Sequence, residues 1–469
     1  MITDMTFLFC FLPIALALYY FLDNKVKEFI LFILSLLFYA VGSIKYLFIF
    51  SCSVAITVLL GRTMTKAKKR IVIKKILLII GIVLNTGLLV YYKYTDFFIS
   101  NLKLSFIECK TKNIVLPLGI SFFTFKSISY LVDVYKERAK LEVNPIHDAL
   151  YLSFFAQIQS GPLSRYNDMS GNKNKFDFDL FAEGVYRFLI GFCKKILIAN
   201  VLSNVSTEIF GTSFEKLSTS YMWLGSICFS LQLFYDFSGY SDMAIGITNM
   251  FGYNCPENFN YPYMTESVSR FWRRWHITLS SWFRDYIYIP LGGSRNKHKW
   301  RVYFNLFAVW LLTGIWHGAA WNFIVWGMGY FIAISVERLL GLPQKINSFI
   351  GKIIYRVLTL VFINFQWTIF NSKDLISALV RIKKMLIFTS NKITDRRTVF
   401  LLKDYAFFIV VAIVFSIPVI PWIEEKTKNN KYMYALYEIL SSIIIVGAFI
   451  WAISFVVAGQ NNPFAYANF

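Results

Sequence analysis

Charge is scarce in this chain of 469 residues: Asp, Glu, Lys and Arg make up 16% of it, where a soluble domain carries about a quarter. Apolar residues reach 57%, more than a water-soluble core can hide, and this excludes an ordinary soluble fold. Cysteine is sparse too. Cys10, Cys52, Cys109, Cys193, Cys228 and Cys255 are scattered without a C-x-x-C pair, so neither a disulfide framework nor a thiolate metal centre is indicated. With four histidines in all, a zinc centre is not expected either. The chain lacks a Pro/Gly/Ser linker, a low-complexity tail and an internal repeat, and the last absence argues against an inverted-repeat transporter.

What the sequence does have is long apolar runs. A bilayer span needs about 20 mostly apolar residues. Candidate spans lie at about 5–22, 29–44, 46–61, 76–95, 114–132, 180–199, 220–235, 303–316, 319–338, 353–370, 405–422 and 436–458. The first lacks a basic n-region and a small-x-small cleavage site, so it is read as a retained span, not a signal peptide. Leu150–Leu163 is apolar but short and ends at Ser160-Gly161-Pro162, which suggests a re-entrant or broken helix. The expected class is an all-α polytopic membrane protein forming a single integral membrane domain over 1–469. The formal charge of +21 then points to anionic lipid on cytoplasmic loops, not to nucleic acid. Arg62 to Lys75 carries seven basic residues and no acid, so it is placed in the cytoplasm. Counting back three spans puts the N-terminus outside.

Chemistry concentrates in the middle of the chain. Asp236 and Asp242 sit in or beside an apolar segment, where an ionised carboxylate needs a partner or a polar cavity. They suit either a structural pair with a neighbouring Arg or the wall of a substrate path. Arg270–Asp285 is amphipathic and aromatic-rich: helical spacing puts Trp272, His276 and Leu279 on one face and Arg270, Arg273 and Arg274 in a basic patch nearby. Such a segment anchors on lipid headgroups or holds a phosphate-bearing donor, since guanidinium forks suit phosphate. Gly292-Gly293 marks a turn without phosphate-loop spacing, and His298 lies among lysines as a solvated residue. His317 stands inside an apolar region from about Tyr303 to Ile334, flanked by Trp316 and Trp321 and followed by Gly318, Ala319 and Ala320. Small residues there let a backbone or a substrate approach the imidazole, which in its neutral form can accept a proton; a hydrogen-bonded packing histidine suits the same spacing.

Six ordered motifs run through this region: Phe234–Gly246, Pro256–Tyr263, Phe271–Ser280, Trp282–Tyr286, Tyr288–Gly293 and Trp316–Trp321. Together they closely resemble the membrane-bound O-acyltransferase superfamily, in the branch of the alginate O-acetyltransferase membrane subunit. The strongest match covers about 150–335, within a core of about 114–370 flanked by peripheral helices at 1–113 and 371–469. The resemblance implies a ring of about 11–13 tilted or re-entrant helices around a central funnel. It implies that His317 and His276 are the catalytic histidines, His317 within the membrane and His276 on the cytoplasmic side. Arg270, Arg273, Arg274, Trp272, Asp236, Asp242, Trp316 and Asn322 are then candidates for contact with donor or substrate. The implied reaction passes an acetyl group, from acetyl-CoA or a donor derived from it, to a cell-surface or exported polysaccharide. No tightly bound cofactor or metal is implied. The implied partners are membrane lipid, the polysaccharide machinery and an extracytoplasmic SGNH-type acetyltransferase, in the cell membrane. D-alanyl transfer to a wall polymer is a near relative, although the Pro-Leu-Gly-Gly run and the Ala-Ala-Trp after His317-Gly318 favour acetyl transfer. Ser294, where the branch often has Asn, and Gln159-Ser160, where it has smaller or apolar residues, are departures from its pattern. On spacing alone Asp236, Asp242 and His317 also suit a transporter or flippase path, and a scaffold for a polysaccharide synthase is a third class.

Overall fold

A computed structural model of the chain describes residues 2–67, 70–102, 114–169, 176–295, 298–386 and 392–459. The described residues are helical or irregular, without a strand. In chain order the helices are α1 (Leu12–Phe21), α2 (Lys27–Lys66), α3 (Ile71–Leu102), α4 (Ile120–Tyr135), α5 (Pro145–Ser153), α6 (Phe178–Cys193), α7 (Asn200–Gly211) and α8 (Thr219–Met250). They continue as α9 (Val268–Phe271), α10 (Ile277–Phe283), α11 (Lys299–His317), α12 (Trp321–Leu340), α13 (Phe349–Asn371), α14 (Leu375–Leu386), α15 (Arg396–Phe415), α16 (Val419–Thr427) and α17 (Lys431–Val457). Among the described residues, seven helical stretches are long and apolar enough to cross a bilayer: 27–66, 71–99, 178–211, 321–340, 349–371, 396–415 and 431–457. The chain is a multi-pass membrane protein.

The spans expected at 29–44 and 46–61 are both present, as two helical stretches of α2 separated by a kink at Ser43 (φ −163°, ψ 58°). One segment differs from the sequence reading. The span at 220–235 is the first half of α8, which continues to Met250. Its apolar run is interrupted by Asp236 and Asp242, but the helix is buried almost throughout, so protein partners replace lipid around those carboxylates.

The chain forms two compact units, Met1–Phe188 with Ser241–Glu257, and Leu189–Tyr240 with Asn258–Phe469. In the first unit α5 starts on Pro145 behind an Asn144 cap, whose side chain accepts from Ile146 N. After Ser153 the helix gives way to a single 3₁₀ turn and then to irregular, buried chain, a broken entry into the interior. Buried Asp148 on α5 accepts from Arg62 Nε (2.6 Å), Tyr130 OH (2.9 Å) and Tyr166 OH (2.8 Å), tying α2, α4 and α5 together. In the second unit α11 and α12 form a hairpin in close contact. A Cβ on Gly314 would lie 2.6 Å from Phe323 O, and one on Gly327 2.5 Å from Trp310 O, so only glycine allows these backbones to meet.

Candidate active site

The α11–α12 hairpin places His317 as the last residue of α11. The chain then runs extended through Gly318 and Ala320 before α12 begins at Trp321. His317 is 4% exposed. Three rings pack edge-on around its imidazole, with centroids at 4.7 Å (Trp316), 4.8 Å (Trp326) and 5.2 Å (Phe370). The room expected beside Gly318 is taken by the Phe323 ring, whose nearest atom would be 2.2 Å from a Cβ there. The small residue thus serves close packing of the box.

Several polar atoms in this box lack a protein partner among the described residues. Asn322 Nδ2 donates to Ser372 O (2.9 Å) and Ile369 O (3.4 Å), which fixes its amide, while the buried Oδ1 accepts from no donor. The buried Nε1 atoms of Trp272 and Trp326 and the hydroxyl of Tyr330 are in the same position. Their rings form one cluster: Trp272 lies 4.9 Å from Tyr330 and 5.7 Å from Trp326, and Trp326 also faces His317. Buried polar atoms rarely go unpaired, so this cluster has the character of a ligand site.

The same cluster links His317 to the arginine segment through Trp272. That segment is not the continuous amphipathic helix its periodicity suggests. α9 ends at Phe271, and α10 starts after His276, which adopts the left-handed conformation (φ 44°, ψ 53°) that is uncommon for any residue but glycine. Asn258 accounts for the break. Its Oδ1 accepts from Thr278 Oγ1 (2.8 Å) and Thr278 N (3.3 Å), and lies 3.0 Å from His276 Nδ1. A backbone N–H can only donate, so that atom is the amide oxygen, and His276 Nδ1 must carry the proton. Burial pushes the His276 pKa down to about 3. The ring is therefore neutral with the lone pair on Nε2, and it adds no positive charge to the arginine patch. Glu337 fixes the other end of the segment. Its carboxylate, 4% exposed, accepts from Val268 N (2.6 Å), Ser269 N (2.9 Å), Ser269 Oγ (2.6 Å) and Tyr355 OH (2.8 Å). Arg356 donates to Met264 O (2.8 Å). Arg273 is exposed, Arg274 half-buried, and the partly exposed Arg270 pairs with Glu266.

The two carboxylates on α8 are in ion pairs. Asp236 lies 2.5 Å from Lys195 in the second unit, on a π-helical stretch, Lys194–Ala199. Asp242 lies 2.7 Å from Arg187 in the first, and Arg187 also forks onto Glu257 (2.9 and 2.6 Å). Sequence reasoning missed Trp326, Phe370, Asn258, Glu337 and Lys195. Asn258 lay within a quoted motif, and Glu337 and Lys195 were ionisable residues in or beside apolar segments. Trp326 and Phe370 carried no signal that set them apart from other aromatic residues in spans.

Residues 139–378 match the membrane-bound O-acyltransferase family. A probable alginate O-acetylase of Pseudomonas aeruginosa is 38% identical over 79% of this chain and 71% of that protein. A peptidoglycan O-acetyltransferase of Helicobacter pylori is 37% identical over 81% of this chain and 78% of that protein. A teichoic acid D-alanyltransferase of Bacillus subtilis is 29% identical over 56% of this chain and 70% of that protein. These likenesses show that the chain is an acyltransferase and belongs to the membrane-bound O-acyltransferase family.

Proposed function

We propose that this enzyme moves an acetyl group from a cytoplasmic donor, acetyl-CoA or a compound derived from it, for O-acetylation of a cell-surface or exported polysaccharide. The observation that carries the reading is the box around His317. Three aromatic rings with centroids within 5.2 Å of the imidazole suit a two-carbon acyl group better than a long chain. The alginate and peptidoglycan O-acetylating relatives are also more similar to this chain than the D-alanyl one.

In this reading His317 takes the proton from the acceptor hydroxyl as its oxygen attacks the acetyl carbonyl, and returns it to the departing thiolate. The ester C–O bond forms as the thioester C–S bond breaks. Such general-base help contributes roughly 10²–10⁴-fold, and the aromatic walls limit loss of the acetyl group to water. An acetyl group resting on the imidazole between the two half-reactions is a second route through the same residue. Asn322 Oδ1, Trp316 and Trp326 line the acceptor's approach. Arg270, Arg273 and Arg274 meet the donor's phosphates, while neutral His276 offers Nε2 as an acceptor. Asp236 and Asp242 act through their ion pairs, as anchors of α8. The N-terminus is placed outside the cell membrane, and an SGNH-type extracytoplasmic protein passes the acetyl group on to the polymer.

The test is a strain carrying His317→Ala. Ester-linked acetate should disappear from one surface polymer while the protein persists in the membrane at its normal level. Unchanged acetate would sink the assignment. Loss of ester-linked D-alanine with acetate intact would move it to D-alanyl transfer.

A further inference from the structure

The first unit contains a buried lysine that this reaction does not use. Lys126 on α4 is 2% exposed. Its Nζ donates to Gln157 Oε1 at 3.0 Å and lies 4.6 Å from the centre of the Tyr151 ring. Among the described residues no carboxylate pairs with it. An ammonium inside an apolar helix without a counter-charge is costly, and such residues usually mark a pathway or a site.

Gln157 aims at this lysine with its whole amide engaged. Its Oε1 also accepts from Ser164 Oγ (2.7 Å), and its Nε2 faces Thr248 Oγ1 and Cys255 Sγ, each at 3.4 Å. The chain beyond Gln157 is irregular, yet Gln159 and Ser160 are buried. It curls back so tightly that a Cβ on Gly161 would lie 2.8 Å from Gln157 Cα. The backbone N–H groups of Gln159, Ser160 and Gly161 donate to no protein acceptor among the described residues. Buried backbone of this kind is tolerated where it lines a polar site, and successive N–H groups in a curl form a concave receptor for anions. Among the described residues, the polar groups named for this spot that stand without a partner are these three backbone N–H donors.

We infer that Lys126 and the Gln157–Gly161 curl form an oxyanion-binding site, taking a phosphate or carboxylate group. The site is independent of the acetyl-transfer reading and of His317. The group belongs either to a diffusible molecule or to a phospholipid headgroup.

The test uses full-length protein, delipidated in dodecyl maltoside, which carries no phosphate. The thermal midpoint is followed against inorganic phosphate, acetate, coenzyme A and dispersed phosphatidylglycerol, each added alone. The wild type should rise with at least one probe. Lys126→Met should weaken that response tenfold or more, and Lys126→Arg should keep most of it. A response to phosphate, acetate or coenzyme A identifies a diffusible ligand, and a response to phosphatidylglycerol alone identifies a lipid. Gln157→Leu, which removes the amide aimed at the ammonium, replaces Lys126→Met should that variant fail to accumulate. A wild type that responds to none of the four overturns the inference, as does a variant that responds like the wild type.

Discussion

Glu337 makes a demand on the segment that leads to His276, and that demand can be put in numbers. Its carboxylate is the buried acceptor for two backbone N–H groups, a serine hydroxyl and a tyrosine hydroxyl, and the first three belong to the start of the segment that leads to His276. Glu337→Ala leaves all four donors without that acceptor. An unsatisfied buried donor costs about 1–3 kcal/mol, and water entering the vacated space offsets part of this. We expect a loss of about 2–5 kcal/mol in stability. Glu337→Gln keeps the volume but sets an NH₂ against one pair of donors, and should cost about half as much. The larger effect is on function, because a displacement of about 1 Å in a positioning group can cost on the order of 10²-fold in rate. Under the proposed function the assay is transfer of labelled acetyl from acetyl-CoA, with kcat and KM determined separately at a temperature where each variant is folded. The donor KM should rise in Glu337→Gln and rise further in Glu337→Ala. Tyr355→Phe removes one donor and leaves the other three bonds in place, so it should behave nearly as wild type. If folded Glu337→Ala kept wild-type kcat and KM, the segment would be placed by other contacts and the reasoning would fail.

Other expectations follow from the same contacts. His276 has a folded pKa of about 3 against an ordinary 6.5, so the unfolded chain binds more protons between those values. Stability is therefore complete above about pH 6.5 and falls on acidification towards pH 3, at up to about 1.4 kcal/mol per pH unit. Thermal midpoints measured from pH 7 to pH 4.5 should show this slope, and His276→Asn should flatten it. Asn258→Ala removes the acceptor that holds His276 in its left-handed conformation, and activity should drop at least tenfold with a smaller change in thermal midpoint; unchanged activity would show that His276 needs no such hold. Asp236→Asn strands Lys195 inside the protein and should destabilise by about 3–5 kcal/mol, whereas Lys195→Met with Asp236→Leu should recover most of that loss. Denaturation of the three forms in matched micelles decides it, and a double variant no better than the single one would contradict the pairing as its cause.

What could be read from the sequence follows from what its letters encode. Apolar runs marked α11 and α12, and a polar residue stood out against them, so His317 and its hairpin were visible at once. α8 was cut short because carboxylates read as an end to an apolar run, while the helix continues where Lys195 and Arg187 neutralise them. The stretch Arg270–Asp285 was misread for a different reason. Its period is helical, but a contact from Asn258, 18 residues upstream, stabilises a left-handed turn at His276, and periodicity contains no term for a partner so far away. Glu337 and Lys126 show the remaining gap most clearly. Each is an ionisable residue inside or at the end of an apolar stretch, so each could have been marked as needing a partner. For Glu337 two of its four partners are backbone N–H groups, and for Lys126 the neighbouring curl again presents backbone N–H groups. Every residue but proline carries such a donor, so no residue type announces which of them will lack a backbone acceptor. Sites made of side chains can be found from sequence by their chemistry, whereas sites made partly of backbone emerge only when the path of the chain is known.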